Sequence, residues 1–163
     1  MRCGTDDDRA ADPRVQCALY ENFRPGVMTG WVCPTSGASE ELNPRIIYVS
    51  ATGYGPDGPH AAKPGEDVLI EARTGWGQLN SVDGRPVPVA SAVADTLGGM
   101  NGAFGTPARS CTRSAPVTAM VRTSLYEAAI AGMAEWGFHF LNAPAGEPQR
   151  PRPGHASPYT PPP

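Results

Sequence analysis

Strong core-forming side chains are scarce in this sequence: its 163 residues hold only seven leucines, four isoleucines, eleven valines and four phenylalanines. Glycine and proline, at 19 each, outnumber them. A single domain of this length buries roughly two-thirds of the surface its unfolded chain exposes, so the deficit excludes two full domains and leaves parts of the chain without a core to join. Disorder throughout is excluded too, because it pairs such a deficit with high net charge, whereas 13 basic and 16 acidic residues leave only −3. Basic patches are absent: Lys63 is the sole lysine, the arginines are scattered, and the sequence pI is ≈ 5.5. Nothing can neutralise a row of phosphates, which excludes nucleic acid as a partner. No apolar run approaches the roughly 20 residues that span a bilayer, and the opening Met1-Arg2-Cys3-Gly4 lacks the apolar stretch of a signal peptide. No membrane association and a cytoplasmic location are therefore expected. Cys3, Cys17, Cys33 and Cys111 lie far apart, so free thiols are expected rather than a zinc site or a disulfide framework.

What is present divides the chain into three. Residues 1–18 carry Asp6, Asp7, Asp8, Arg9, Asp12 and Arg14 with few apolar neighbours, the signature of a solvated or frayed N-terminus. Residues 144–163 are dense in proline, which cannot supply the backbone donors of a helix or inner strand, so an extended tail is expected. Residues 19–143 between them read as one α/β core. Within it, Arg45-Ile46-Ile47-Tyr48-Val49-Ser50 is a β-branched run bounded by turn residues and predicts a buried strand. Residues 66–73 fit a short helix stopped by Thr74-Gly75, with a strand as the alternative. A helix over residues 95–107 is predicted with Asp95 as its N-cap; Gly98, Gly99 and Gly102 weaken it but permit close packing. Ser124-Leu125-Tyr126-Glu127 has the capping-box spacing, predicting a helix over residues 124–141. On that helix Leu125, Ala129, Gly132, Met133, Trp136 and Phe140 form one stripe, read as core.

Several chemical motifs fall away on inspection. Gly53-Tyr54-Gly55-Pro56-Asp57-Gly58 matches the dinucleotide fingerprint formally, but Pro56, Pro59 and Pro64 deny it the helix that would face a pyrophosphate. A rigid strand-end loop is the expectation. His60, His139 and His155 lack metal-ligand spacing, so no metal is expected, and there is no G-x-S-x-G elbow for a serine hydrolase. Carboxylates remain: Glu66 and Asp67 in Pro64-Gly65-Glu66-Asp67, and Asp95 in Val93-Ala94-Asp95-Thr96-Leu97-Gly98-Gly99-Met100. Asp95 has two readings, a plain helix cap or a nucleophile kept ionised by the helix dipole, with glycines leaving room for a bulky substrate.

Six segments in order resemble class III CoA-transferases, the family that includes formyl-CoA, carnitine-CoA and succinyl-CoA-dependent transferases and the α-methylacyl-CoA racemases. They are Glu21-Asn22-Phe23-Arg24-Pro25-Gly26, the strand at residues 45–50 with Asn43-Pro44 before it, the loop from Gly53 to Pro59, Pro64-Gly65-Glu66-Asp67, Ala94-Asp95 through Met100, and Thr123-Ser124-Leu125-Tyr126-Glu127-Ala128-Ala129. The resemblance covers residues 20–142, with a weaker echo around His155. It implies part of the family's large α/β domain and Asp95 as the nucleophile that attacks an acyl-CoA thioester to give a mixed anhydride. Asn22 and Phe23 match a stretch near CoA, and Tyr54 a loop near the acyl group. It further implies no permanently bound cofactor, CoA thioester and carboxylic acid substrates, and a homodimer.

Departures bear on those implications. The racemases place a histidine where this chain has Glu66, so racemisation would need a buried, basic glutamate there. Full family members are more than twice this length, which implies a truncated member whose independent turnover is open; a fragment that folds against a partner chain is the non-catalytic alternative. Residues 29–42 and 106–120 depart from the family pattern while their flanks match.

Overall fold

A computed structural model describes residues 18–30, 46–111 and 119–142. The expectations for the frayed N-terminus, the proline-dense tail, and Cys3, Cys17 and Cys33 lie outside the described residues.

The expected α/β architecture is present. Three parallel strands, β1 (Ala18–Glu21), β2 (Ile47–Thr52) and β3 (Ala119–Ser124), lie in the order β1-β2-β3. The described helices are α1 (Val27–Gly30), α2 (Asp67–Thr74), α3 (Trp76–Leu79), α4 (Val93–Cys111), α5 (Leu125–Gly132) and α6 (Ala134–Asn142). β2 is central because its run is apolar on both faces: Ile47, Tyr48, Val49 and Ala51 are all buried, as a parallel strand covered on both sides requires. β1 and β3 are new relative to the sequence reading. Ala18–Glu21 is only four residues long and Ala119–Ser124 mixes Met120 and Val121 with Arg122, Thr123 and Ser124, so pairing with β2 supplies what local pattern does not.

Two clusters make the core. Ile47 and Val49 with Val121 lie within the sheet, and Ile70, Ala94 and Ala129 join α2, α4 and α5, with Tyr54, Trp76, Leu125 and Tyr126 packed around them. Trp76 Nε1 donates to the Ala129 carbonyl at 3.0 Å, so the half-buried indole is satisfied. The short helix at residues 66–73 is realised as α2. It stops at Gly75, whose φ of 99° is the left-handed cap conformation that glycine adopts without strain.

α4 lies on the sheet through a glycine face. A Cβ on Gly98 would meet Leu125 Cδ2 at 2.5 Å, one on Gly102 would meet Tyr20 Cε2 at 2.5 Å, and one on Gly105 would meet Val121 Cγ1 at 2.5 Å. Gly99 faces open space. The close packing expected of these glycines therefore holds at Gly98 and Gly102 and not at Gly99. Gly102→Ala is expected to destabilise by about 1–3 kcal/mol, through overpacking against the Tyr20 ring. Gly99→Ala should instead stabilise by about 0.5–1 kcal/mol, because alanine costs less entropy in a helix. Urea unfolding of the pair checks this; equal shifts would mean that the glycine face is not a packing face.

The single helix expected over residues 124–141 is broken. Its start behaves nearly as predicted: Ser124 Oγ accepts the Glu127 N–H at 3.1 Å, but the Glu127 carboxylate takes the Ser124 hydroxyl at 2.8 Å rather than completing a capping box. The helix then interrupts at Met133, with φ −109° and ψ 22°, and resumes as α6. Gly132 is the cause we identify: a Cβ there would meet Leu97 Cδ1 at 2.6 Å, and glycine is a poor helix residue. The apolar stripe splits accordingly. Leu125 and Ala129 enter the core, whereas Met133, Trp136 and Phe140 line an open apolar groove of ≈ 390 Å³ with Thr74, Leu79 and Ile130.

Candidate functional site

Strand direction locates the site. Along α4, Gly105 meets Val121 inside β3 whereas Gly98 meets Leu125, just past the end of β3, so α4 runs against the strands. Its N-terminus therefore emerges at the carboxyl edge of the sheet, the edge at which open α/β sheets bind ligands.

Asp95 sits in the first turn of α4, but it is not the cap. The helix begins two residues earlier, at Val93, and its free amides are met from another helix: Asp67 Oδ1 accepts the Ala94 N–H at 2.8 Å and the Asp95 N–H at 3.0 Å. This corrects the N-cap reading. Asp67 is buried at the head of α2, where Glu66 precedes it in extended conformation with no side-chain cap of its own. With the amides committed to Asp67, the Asp95 side chain is left exposed, and among the described residues no group donates to its carboxylate. Its pKa is raised from the ordinary value, first by desolvation and then by the negative charges of Asp67 and Glu66. Desolvation and these neighbouring charges thus oppose the helix dipole that is expected to hold Asp95 ionised. A carboxylate with raised pKa is a stronger base, which suits nucleophilic work.

Tyr54 follows β2 on the same edge, its ring packed against the cluster of Ile70, Ala94 and Ala129. It is fixed from several sides: Tyr126 lies 5.9 Å away, His60 stands edge-on at 5.6 Å, and the Arg73 guanidinium sits 5.6 Å from the ring centroid, a cation–π arrangement. The loop that carries Tyr54 is closed at its base by Gly53 and Gly65, whose backbones touch so closely that neither has room for a Cβ. The glycine-rich segment 53–58 leads into no helix before Asp67, so it is a loop, as its prolines predict.

Asn22 and Phe23 follow β1, again at the carboxyl edge, with Phe23 N–H bound to Glu21 Oε2 at 2.8 Å. Both side chains are exposed. Their link to α4 runs through Tyr20, whose hydroxyl lies 3.4 Å from the Gly98 carbonyl, one turn after Asp95. No bond joins Asn22 or Phe23 to Asp95 among the described residues. Glu66 is exposed, so the burial that a racemase base would need is missing.

Two acids escaped the sequence reading in their real roles. Asp67 caps a helix 27 residues away, which no local pattern reveals. Glu71 lies fully buried one turn along α2; two carboxylates at i, i+4 without a counter-charge are an unfavourable helix pair and were the available signal. Among the described residues, no group of three or more His, Cys, Asp or Glu could hold a metal ion, and no helix is long and apolar enough to cross a membrane. The apolar groove beside α6 does not include Asp95, whose side chain opens to solvent at the sheet edge.

Residues 17–163 match CoA-transferase family III. The beta subunit of succinyl-CoA–L-malate CoA-transferase from Chloroflexus aurantiacus is 37% identical over 89 residues, covering 53% of this chain and 22% of that protein. Probable fatty acyl-CoA transferase Rv3272 from Mycobacterium tuberculosis is 28% identical over 137 residues, covering 83% of this chain and 34% of that protein. A crystal structure of Rv3272 superposes with a TM-score of 0.68 at 26% identity, over 80% of this chain and 36% of that one. A CaiB/BaiF family protein from Brucella suis shares the fold, with a TM-score of 0.66 at 24% identity. The chain spans about a fifth to a third of the length of these curated relatives. With a family match over residues 17–163 and the fold shared with a solved relative, the chain belongs to CoA-transferase family III.

Proposed function

We propose that residues 19–143 form a CoA-transferase core in which Asp95 is the nucleophile for moving CoA between an acyl-CoA and a carboxylic acid. The observation that carries the reading is the state of Asp95: an exposed carboxylate at the carboxyl edge of a parallel sheet, made more basic by desolvation and by its acidic neighbours, its amide anchored by Asp67 and its oxygens free of hydrogen bonds among the described residues. One of its oxygens attacks the thioester carbonyl, the carbon–sulfur bond breaks, and CoA leaves as thiolate with Asp95 held in a mixed anhydride. Return of the thiolate frees the donor acid and leaves CoA on Asp95. The acceptor carboxylate then attacks the aspartyl thioester, expelling the thiolate and forming a second mixed anhydride; the thiolate attacks the acceptor's acyl carbon, and Asp95 leaves as a free carboxylate. Tyr54 borders the acyl group, and Asn22 and Phe23 border CoA. The CoA thioester enters as substrate and no cofactor is held permanently; a second copy of the chain is the proposed partner.

Hydroxylamine trapping tests the intermediate. Protein incubated with succinyl-CoA, the donor named for the Chloroflexus relative, should carry a hydroxamate on the peptide containing Asp95, read by mass spectrometry. A folded sample that gives no hydroxamate there, with or without a second chain, removes the reading.

One observation favours a non-catalytic fragment instead. Phe140 and Leu141 on α6 are 76% and 81% exposed, apolar surface of the kind covered by a partner. Under that reading the hydroxamate is absent from the isolated chain and from every mixture. The exposed Glu66 gives racemisation no comparable support.

A further inference from the structure

Glu71 presents a problem of hydrogen bonding that the backbone does not solve. It is 1% exposed; Oε2 accepts the Val89 N–H at 2.7 Å, while Oε1 is buried with no partner. An ionised carboxylate oxygen without a donor in such a place carries a heavy desolvation penalty. One turn back on the same helix face lies Asp67, also buried, with Oδ1 already accepting from Ala94 and Asp95.

We infer that Glu71 is carried protonated in the folded chain and donates its proton to Asp67, so that the two acids share one negative charge at the cap of α4. The proton turns the orphaned Oε1 from an unmet acceptor into a donor, and Asp67 is the acceptor within reach. Among the described residues, no cation is bonded to Glu71 or Asp67. α3 carries no ionisable side chain, α4 brings Asp95, α5 brings Tyr126 and Glu127, and the segment joining α3 to α4 brings Asp83 and Arg85. On α2 itself stand Glu66 and Arg73, the latter engaged with His60 and Tyr54. Of all these, only Asp67 acts on Glu71: burial raises the Glu71 carboxyl first, the Val89 amide opposes, and Asp67 raises it again through a hydrogen bond and its charge. Two carboxyls that share a site hold a proton between them in this way.

Glu71 is thereby a positioning residue. It orients the Asp67 carboxylate that anchors the Asp95 amide, and it spares Asp95 a third adjacent negative charge. The effect on acyl transfer rests on the proposed function; the proton does not.

The test uses the full chain without substrate, so failure of the transferase reading leaves it untouched. Carbon-detected NMR of the Glu71 carboxyl should show titration shifted above the ordinary glutamate value of about 4.3. A raised folded value means that the native state holds the extra proton between about pH 4.3 and its folded pKa. The parent's melting temperature should therefore fall, relative to Glu71→Gln, as pH rises through that window. Glutamine keeps both a donor for Asp67 and an acceptor for Val89, so Glu71→Gln should hold its melting temperature there, whereas Glu71→Ala should melt lower than Glu71→Gln at every pH. A Glu71 carboxyl that titrates at or below the ordinary value overturns the inference. So does a Glu71→Gln that melts as low as Glu71→Ala throughout.

Discussion

Asp95→Asn is expected to abolish CoA exchange while making the chain slightly more stable. The proposed chemistry needs an anionic oxygen that can form an anhydride, which an amide cannot supply, so the rate should fall by a factor on the order of 10⁴ or more. Stability moves the other way because Asp95 is held above its ordinary pKa by desolvation and by Asp67 and Glu66. The folded state therefore binds the Asp95 proton more tightly than the unfolded chain. Between the unfolded value of about 3.9 and the raised folded value, stability is lost as pH rises; above that window the cost is constant. Asparagine has no charge to repel, so its advantage develops as pH rises through the window and vanishes below about pH 3.9. With an exposed side chain, the gain is about a few tenths of a kcal/mol. Isotope exchange into acyl-CoA and melting curves at acid and neutral pH check the two halves. Exchange that survives in the variant would assign the chemistry to another group, and a variant less stable at neutral pH would mean that the carboxylate is favourably bound.

The largest stability effect is expected from Gly65→Ala. The Cβ would fall on the backbone of Gly53, and no rotamer change can relieve a clash between two main chains. The cost should be about 3 kcal/mol or more, at the upper end for overpacking. It should also reach the site, because Gly53 precedes Tyr54 and Gly65 stands two residues before Asp67. Gly58→Ala is the control. Gly58 has φ +94° in open space, so alanine there pays only the left-handed backbone penalty of about 1–2 kcal/mol and leaves the base of the loop closed. Urea midpoints of the two variants decide the matter: a Gly65→Ala no worse than Gly58→Ala would show that the two backbones separate readily.

The parts of this fold that were legible in the sequence are those set by neighbours along the chain. The apolar run at Ile46–Val49 announces a strand buried on both faces, Ser124 begins α5 with its own hydroxyl on Glu127, and Gly75 ends α2 in the conformation glycine favours. What stayed hidden is set by distant partners. β1 and β3 exist because β2 pairs with both, not because Ala18–Glu21 or Ala119–Ser124 has strong alternation. Asp95 was found as a candidate and misread as a cap, since the true cap comes from α2 and spacing cannot report an acceptor 28 residues away. The apolar period over residues 124–141 persists through Met133 and so predicts one helix, whereas packing by Leu97 and Trp76 leaves room only for glycine at 132, a poor helix residue, and the helix stops there.

The borrowed cap of α4 also orders the assembly of the molecule. An isolated helix needs its end amides met before its first turn pays, and here the acceptor arrives only when α2 docks. The segment from Val93 to Asp95 should therefore be among the last pieces to acquire native structure, closing a loop of sequence rather than growing from a local nucleus. Whatever chemistry Asp95 performs is consequently switched on by tertiary completion: a nascent or partly denatured chain carries the same carboxylate, but on a frayed turn that has no fixed direction.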